Sequence, residues 1–304
     1  MPAEVSTRQT FTIPSVEEGV FIDAWVFSPT MAPHPHPVVI AGHGMNLTKD
    51  VGLTAFCDRW AEDAGWASVA FDYRGYGASG GEPRQYVSLR KQNEDYRSVI
   101  KWVRERTELF RSDKIVLFGI SLAGVTVSDL ITKDEHLCGA LMTCPVIDCR
   151  FRAPKSLPVL LSVNIAGIKD LLGLSPTYIT AVGPPKTAAL QTRPSAYPGY
   201  LQLYKESGVE FTEEKNRMAA KPVWEFFGSR PNRRFKHAKA PILVIAAEED
   251  DIVPMSLQRK IEGQSGGHMK LVVVPGNHFS VLIPGTNHFE ANINAQLEYL
   301  RELS

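Results

Sequence analysis

A serine stands at a sharp junction between two segments with different hydrophobic patterns. The stretch "KIVLFG" is typical of a buried strand, and a helical pattern begins close to Ser121. Gly119 and Ala123 lie two positions to either side, and small residues are needed there if the chain turns tightly. Such a turn holds a hydroxyl clear of the backbone, where it can attack a carbonyl carbon. The competing interpretation is a serine that caps a helix N-terminus.

A serine nucleophile needs a base, and the base needs an acid that orients it. In an open sheet of this kind we expect the order serine, acid, histidine, each after a strand. The strand-like "PILVIAAE" runs into four consecutive carboxylates, followed by "IVP". Asp250, four residues before Pro254, is the predicted acid. Asp251 is the alternative, and we expect it instead to lie in a solvated turn.

Two histidines occur in similar surroundings near the end of the chain. His278 follows the strand-like "KLVVV" through "PGN", and His288 stands in the second copy "PGTNHFE". The end of a strand is fixed by its sheet, so we predict that His278 is the base. His288 opens a helical segment, and we expect it to cap that helix or to face solvent.

Two backbone amides are predicted to stabilise the negative charge that develops during acyl transfer. The Leu122 N–H lies at the new helix N-terminus, and the Met45 N–H follows the strand-like "HPVVIAG". Gly44 lets the backbone turn the Met45 amide inward. For His43 we predict a structural role, as a core histidine bonded to the backbone.

A glycine-rich loop, "FDYRGYGASGGEPR", follows another strand-like run. It contains G-x-G-x-x-G, but it lacks the P-loop Lys-Ser/Thr and the setting of a dinucleotide site. We therefore predict a structural loop in which Asp72 pairs with Arg74. Asn46 and Lys49, in the loop after "HPVVIAG", are either substrate contacts or solvated residues.

The elements that position these residues alternate along the chain. Two opening strands, "RQTFTIPS" and "VFIDAWVFSP", predict an antiparallel pair, and continuous apolar strands then alternate with helical segments. This pattern predicts an α/β fold with a mostly parallel central sheet flanked by helices. Residues 150–235 break the pattern with prolines and short apolar helical pieces, so we predict an inserted helical cap. The core domain is then residues 1–149 and 236–304.

Composition excludes several classes of protein. Lys+Arg and Asp+Glu both number 33 in 304 residues, so no basic field indicates nucleic acid or an anionic membrane as a partner. The four cysteines are too few for a disulfide scaffold and lack metal-site spacing. No secretory signal segment is apparent, and we expect reduced thiols in a cytoplasmic protein.

The segments "GHG", "DYRGYGASGG", "GISLAG", "EEDDIVP" and "PGNHF" together resemble the α/β-hydrolase superfamily everywhere outside the cap. More narrowly, "GHGMNLTKD", "FDYRGYGASGGEPR" and "VVVPGNHFSVL" resemble a fungal and bacterial group that includes polyketide transferases and thiohydrolases. The resemblance implies acyl transfer from an ester or thioester to water or to another hydroxyl. No metal or organic cofactor is expected.

The cap is rich in apolar side chains, and four of them are predicted substrate contacts: Leu160, Tyr178, Trp224 and Phe227. The alternative is that these side chains pack the cap on the sheet or on a second subunit. The expected partner is a small acyl substrate, free or carrier-bound, and a homodimer is left open. Two other classes compete with the hydrolase: a cyclase or C–C bond lyase on the same scaffold, and a ligand-binding protein with a vestigial triad.

Overall fold

The computed structural model describes residues 6–149, 156–174, 176–220 and 229–304. Its strands are β1 (Ser6–Pro14), β2 (Phe21–Pro29), β3 (His36–Gly42), β4 (Ala67–Phe71), β5 (Phe110–Ile120), β6 (Gly139–Thr143), β7 (Tyr178–Val182), β8 (Ala189–Gln191), β9 (Arg217–Ala219), β10 (Ile242–Ala247) and β11 (Met269–Val274). Eight of them form the central sheet in the order β1-β2-β4-β3-β5-β6-β10-β11. The first two pairings, β1 with β2 and β2 with β4, are antiparallel, and the others are parallel.

The α-helices in the described ranges are α1 (Thr54–Ala64), α2 (Leu89–Arg104), α3 (Ala123–Leu130), α4 (Leu157–Leu171), α5 (Ala196–Glu206), α6 (Met255–Gln264) and α7 (Asn287–Glu302). Two short 3-10 helices span Pro231–His237 and Ser280–Leu282. Contacts divide the helices around the sheet into two groups: α1 packs with α7, and α2 packs with α3, which the first 3-10 helix links to α6. The predicted α/β-hydrolase architecture, a mostly parallel sheet flanked by helices, is confirmed.

Three strands inside the sheet are buried along their whole length because both of their faces are covered. Every residue of β4, β6 and β10 is buried. Side-chain caps fix where two of the flanking helices begin: Ser88 accepts from the Lys91 N–H before α2, and Thr286 accepts from the Phe289 N–H before α7. The sheet therefore delivers the residues that follow β3, β5, β10 and β11 to one edge.

The predicted cap contains more than helices. Its described residues, 156–174, 176–220 and 229–235, contain a small three-stranded sheet of order β8-β7-β9 in addition to α4 and α5. A helical cap was predicted, and the three strands show that a purely helical cap is wrong. The strands are only three to five residues long, too short to establish an alternating pattern. The bounds 150–235 of the insertion stay a prediction.

Among the residues with described positions, no helix combines the length and the apolarity that crossing a bilayer requires.

Candidate active site

Ser121 occupies a strained turn between β5 and α3. Its φ is +51°, in the left-handed region that non-glycine residues rarely adopt. The neighbouring loop holds this turn, since the Ser121 N–H donates to the Thr143 carbonyl (3.1 Å) and the Val146 N–H donates to the Ser121 carbonyl (2.8 Å). A Cβ at Gly119 would lie 2.9 Å from the Val127 side chain. The turn therefore requires a residue without a side chain two positions before the serine, as the sequence indicated.

His278 and Asp250 complete a continuous hydrogen-bonded chain with this serine. His278 Nε2 lies 3.0 Å from Ser121 Oγ, and His278 Nδ1 lies 2.8 Å from Asp250 Oδ2. An imidazole with its proton on Nδ1 donates to Asp250 and leaves Nε2 ready to accept the serine proton. The structure thus brings together the three side chains predicted from separate loops.

The carboxylate of Asp250 is held in its ionised form. Burial alone raises the pKa of this carboxyl, but the charge of His278 and its hydrogen bond oppose that effect. The Ile252 and Val253 N–H groups also donate to Oδ1, each at 2.8 Å. The net result is a pKa below the ordinary value for aspartate. Asp250 is therefore suited to orient His278 and to stabilise an imidazolium.

The two rival residues have other partners. Asp251 accepts hydrogen bonds from the Ser195 N–H (3.1 Å) and from the Ser195 hydroxyl, so it anchors the start of α5. His288 lies in the first turn of α7, where Thr286 rather than His288 caps the helix. A Cβ on Gly276 would fall 2.8 Å from the His288 ring, so this ring packs on the loop that leads to His278. Of the two expectations for His288 the helix cap is wrong, whereas its half-buried side chain is compatible with the other, contact with solvent; Asp251 is also half-buried, in a turn bound to Ser195.

Two backbone amides beside the serine have no acceptor among the described residues. Leu122 is the N-cap of α3, and the first amides of a helix have no acceptor within that helix. Met45 lies next to Gly44, where a Cβ would be 3.5 Å from Ser121 Cβ. Within the described part of the chain, neither the Met45 nor the Leu122 N–H donates a hydrogen bond. Both residues line the same cavity as Ser121, and their role as oxyanion donors stays a prediction.

His43 has the structural role that the sequence predicted. Its ring is 1% exposed and Nδ1 lies 3.0 Å from the Gly44 carbonyl oxygen. Burial lowers the pKa of His43 below its ordinary value. The ring therefore stays neutral and supports the loop that carries Met45.

Asn46 and Lys49 are neither substrate contacts nor solvated residues. Asn46 is buried and donates from Nδ2 to the Lys215 carbonyl oxygen (2.6 Å). Lys49 is also buried, and its Nζ contacts Asp72 (2.6 Å) and Asp23 (2.5 Å). A short loop gave no signal that these long-range partners exist, so both readings of the sequence were wrong.

The glycine-rich loop wraps the same carboxylate. A Cβ on Gly77 would lie 2.1 Å from Asp72 Oδ2, and the Ala78 N–H donates to that oxygen (3.1 Å). The loop is structural, as predicted, but Asp72 does not pair with Arg74. Arg74 instead contacts Glu94 (2.7 Å) and Asp95.

A cavity of about 740 Å³ opens over Ser121, within the size range of small-molecule sites. Much of its inner wall is apolar, from Met45, Leu47, Ile120, Leu122, Val146, Phe279 and Leu282. Tyr200 reaches the cavity from the cap, and its hydroxyl donates to the Met45 carbonyl oxygen (2.5 Å). Sequence reasoning missed Tyr200, whose only signal is its place in an apolar cap helix.

Two of the four predicted substrate contacts in the cap, Leu160 and Tyr178, do not line this cavity. Tyr178 donates its hydroxyl to the Arg84 carbonyl oxygen (2.8 Å), and neither Tyr178 nor Leu160 is among the lining residues. Trp224 and Phe227 lie outside the described residues. α4 is apolar on two sides: it buries Val159, Val163 and Ala166, and it leaves Leu161, Ile165 and Ile168 more than half exposed. Hydrophobicity alone could not show which side of the cap meets the cavity.

A buried thiol lies beside the acid and was also missed. Cys144 follows β6 with φ +45°, and its sulfur, an Asp250 oxygen and a His278 ring nitrogen lie within 4.8 Å of one another. This is the single group with metal-ligating spacing found among the described residues. Burial and the Asp250 charge raise the pKa of Cys144, so it remains a thiol. The described cysteines form no disulfide with one another.

The fold and the cluster at its sheet edge define an α/β hydrolase. The chain belongs to the serine aminopeptidase S33 family, whose sequence model matches residues 33–278.

Three relatives give this assignment more detail. The quorum-quenching protein AidA of Acinetobacter baumannii is 27% identical over 273 residues, which cover 88% of this chain and 86% of AidA. The polyketide transferase af380 of Aspergillus fumigatus is 23% identical, with 90% of this chain and 88% of the relative covered. The crystal structure of the α/β hydrolase GrgF from a Penicillium species superposes with a TM-score of 0.78 at 21% identity, covering 97% and 98% of the two chains. The predicted resemblance to polyketide transferases is therefore confirmed.

Proposed function

We propose that this protein is a serine hydrolase or acyltransferase that works through an acyl-Ser121 intermediate on an ester or thioester. The observation that carries the proposal is the hydrogen-bonded chain from Ser121 through His278 to Asp250, with Ser121 on the wall of the cavity. This order of nucleophile, base and acid is the arrangement that activates a hydroxyl at neutral pH.

In the first step Ser121 Oγ attacks the substrate carbonyl carbon while His278 Nε2 takes the hydroxyl proton. The carbonyl oxygen becomes negatively charged and accepts hydrogen bonds from the Met45 and Leu122 N–H groups, each contributing about 3 kcal/mol. The bond to the leaving oxygen or sulfur then breaks, and His278 returns the proton to that atom. Asp250 stabilises the imidazolium throughout.

In the second step water or an alcohol attacks the acyl-Ser121 carbonyl. His278 takes a proton from the attacking hydroxyl, and the Ser121 oxygen leaves and regains its proton from His278. Hydrolysis and transfer differ only in which hydroxyl enters the cavity.

The proposed acyl group is hydrophobic and polyketide-like. Two facts support this substrate class: the inner wall of the cavity is largely apolar, and relatives of the chain are named polyketide transferases. A carrier-bound form of the substrate, a homodimer and a cytoplasmic location stay predictions.

A fluorophosphonate probe tests the proposal because it reacts with activated serines. We expect the wild type to be labelled at Ser121 and to turn over a neutral p-nitrophenyl ester, and we expect Ser121→Ala to lose both. His278→Ala should also lose both, whereas the control His288→Ala should keep most of the turnover. Labelling of Ser121 without turnover of any ester or thioester would contradict the proposal and favour a lyase, a cyclase or a binding protein.

A further inference from the structure

Two cationic side chains line the cavity that holds Ser121, and they come from different parts of the fold. Arg193 lies between β8 and α5 in the cap, and Lys260 lies on α6 of the core. Both residues are exposed. Neither forms an ion pair with any residue of the described ranges. The cavity therefore carries two positive charges that no carboxylate of the described ranges neutralises through an ion pair.

The position of Arg193 is fixed by hydrogen bonds of its segment. The Arg193 N–H donates to Gln191 Oε1 (3.2 Å), and the Ala196 N–H donates to the Arg193 carbonyl oxygen (2.9 Å). Ser195 is bound to Asp251, the neighbour of the proposed acid. The backbone of the Arg193 segment is thus attached to the same loop that carries Asp250, which holds Arg193 at the wall of the cavity.

Lys260 is directed to the cavity by the helix that carries it. Ser256 and Leu257, one turn earlier on α6, line the same cavity. Residues three and four positions apart share one face of a helix, so Lys260 extends this lining outward. Because its stem is long, its ammonium can reach a ligand while staying near water.

The charge distribution along the cavity is uneven. Ile120 and Leu122, the lining residues on either side of Ser121, are buried and apolar, whereas Arg193 and Lys260 are exposed, with the apolar Pro194 and Leu257 near them. One carboxylate, that of Asp148, is also among the lining residues. Asp148 is 1% exposed and already interacts with another group. A ligand that fits this distribution is apolar near the reacting carbonyl and negatively charged at its outer end.

We propose that Arg193 and Lys260 are specificity-determining residues that select acyl substrates bearing an anionic group, a carboxylate or a phosphate, away from the reacting carbonyl. This inference rests on the proposed function. The anionic group binds at the mouth, and the apolar part of the substrate extends to Ser121.

Matched substrate pairs test the inference. The first pair is the mono-p-nitrophenyl ester of adipic acid and its methyl ester, and the second pair is S-octanoyl-pantetheine 4′-phosphate and S-octanoyl-pantetheine. The readout is the ratio of kcat/KM for the anionic member to that for the neutral member, which does not depend on the fraction of folded enzyme. The pair with the larger wild-type ratio distinguishes a carboxylate from a phosphate.

We expect the wild-type ratio to exceed one for at least one pair and to fall about three- to tenfold in the double variant Arg193→Gln/Lys260→Gln, as expected for two solvent-exposed charge contacts. The fall should shrink at 0.5 M salt because exposed charges are then screened. The control Lys236→Gln/Arg259→Gln removes one lysine and one arginine that are exposed and do not line the cavity, and it should leave the ratio unchanged.

A ratio near or below one for both pairs, or equal ratios in the wild type and in the double variant, would overturn the inference. If neutral members are still turned over by a Ser121-dependent route in that case, the proposed function stands without it. If no member of either pair is turned over in a Ser121-dependent way, the proposed function fails and this inference fails with it.

Discussion

Asp250 and Asp251 are adjacent in the chain and are the same type of residue, yet their carboxylates have different hydrogen-bond partners. Asp250 accepts from two backbone amides and from His278, and its side chain is 2% exposed. Asp251 binds Ser195 at the start of α5. Since one residue further along a turn points a side chain in another direction, only one of the two carboxylates reaches the imidazole.

This difference predicts unequal losses of activity. Asp250→Asn keeps the size of the side chain but removes its charge and its preference for the productive tautomer, so kcat should fall by about 10⁴. Asp251→Asn should have a far smaller effect because it does not contact His278. Steady-state kinetics with a neutral ester measures both, and similar losses would show that the acid is misassigned or shared.

At the scale of elements, α5 joins the cap to both loops that flank Ser121. Tyr200 is 5% exposed and donates to the Met45 carbonyl oxygen. Its ring also lies 5.3 Å from that of Phe279, the residue after His278. A Cβ on Gly199 would fall 2.2 Å from Phe279, so the helix approaches the His278 loop closely. The cap therefore packs directly on the loops that carry Met45 and His278.

Tyr200→Phe should loosen the loop that presents the Met45 N–H. Loss of one buried hydrogen bond predicts a fall in kcat of about three- to tenfold with a smaller change in KM. A trifluoromethyl ketone, which forms a tetrahedral adduct with serine, should bind more weakly by a similar factor. Tyr197→Phe on the same helix is the control, since Tyr197 does not line the cavity. Equal effects of the two substitutions would contradict a special role for Tyr200.

At the scale of the whole molecule, charge is balanced in number, and the buried Lys49 is paired with carboxylates. Lys49 lies buried between Asp72 and Asp23, with its Nζ 4.7 Å from the centre of the Trp25 ring. The cluster ties the loop after β3 to β2 and to the loop after β4. It is also where the loop that carries Met45 is anchored to the sheet.

Lys49→Ala should lower the free energy of unfolding by about 3–5 kcal/mol, because it leaves the buried carboxylate of Asp72 without its counter-ion. Urea unfolding followed by tryptophan fluorescence measures this change. Lys101→Ala, at a side chain 78% exposed, is the control and should change the free energy of unfolding by less than about 0.5 kcal/mol. A loss below about 1 kcal/mol in Lys49→Ala would contradict the stabilising role of the cluster.

The sheet and the order of the three candidate catalytic residues followed from the sequence. Continuous apolar runs mark parallel strands that are buried on both faces, and such strands end at a common edge. A serine between small residues, an acidic turn and a histidine after successive strands must therefore come near one another. Both histidines follow a Pro-Gly segment, so local composition could not distinguish His278 from His288. The choice of His278 rested on its place directly after a predicted strand.

The tertiary structure alone decided the contacts between residues remote in the chain. Ser121 and His278 are 157 positions apart, and Asn46 meets Lys215 across 169 positions. The three short strands of the cap, the burial of Lys49, the outward face of α4 and the place of Tyr200 all depend on such pairings. Local hydrophobic pattern determines which backbone elements can form, but which side chains meet depends on how those elements pack, and that packing is not encoded within any short window of sequence.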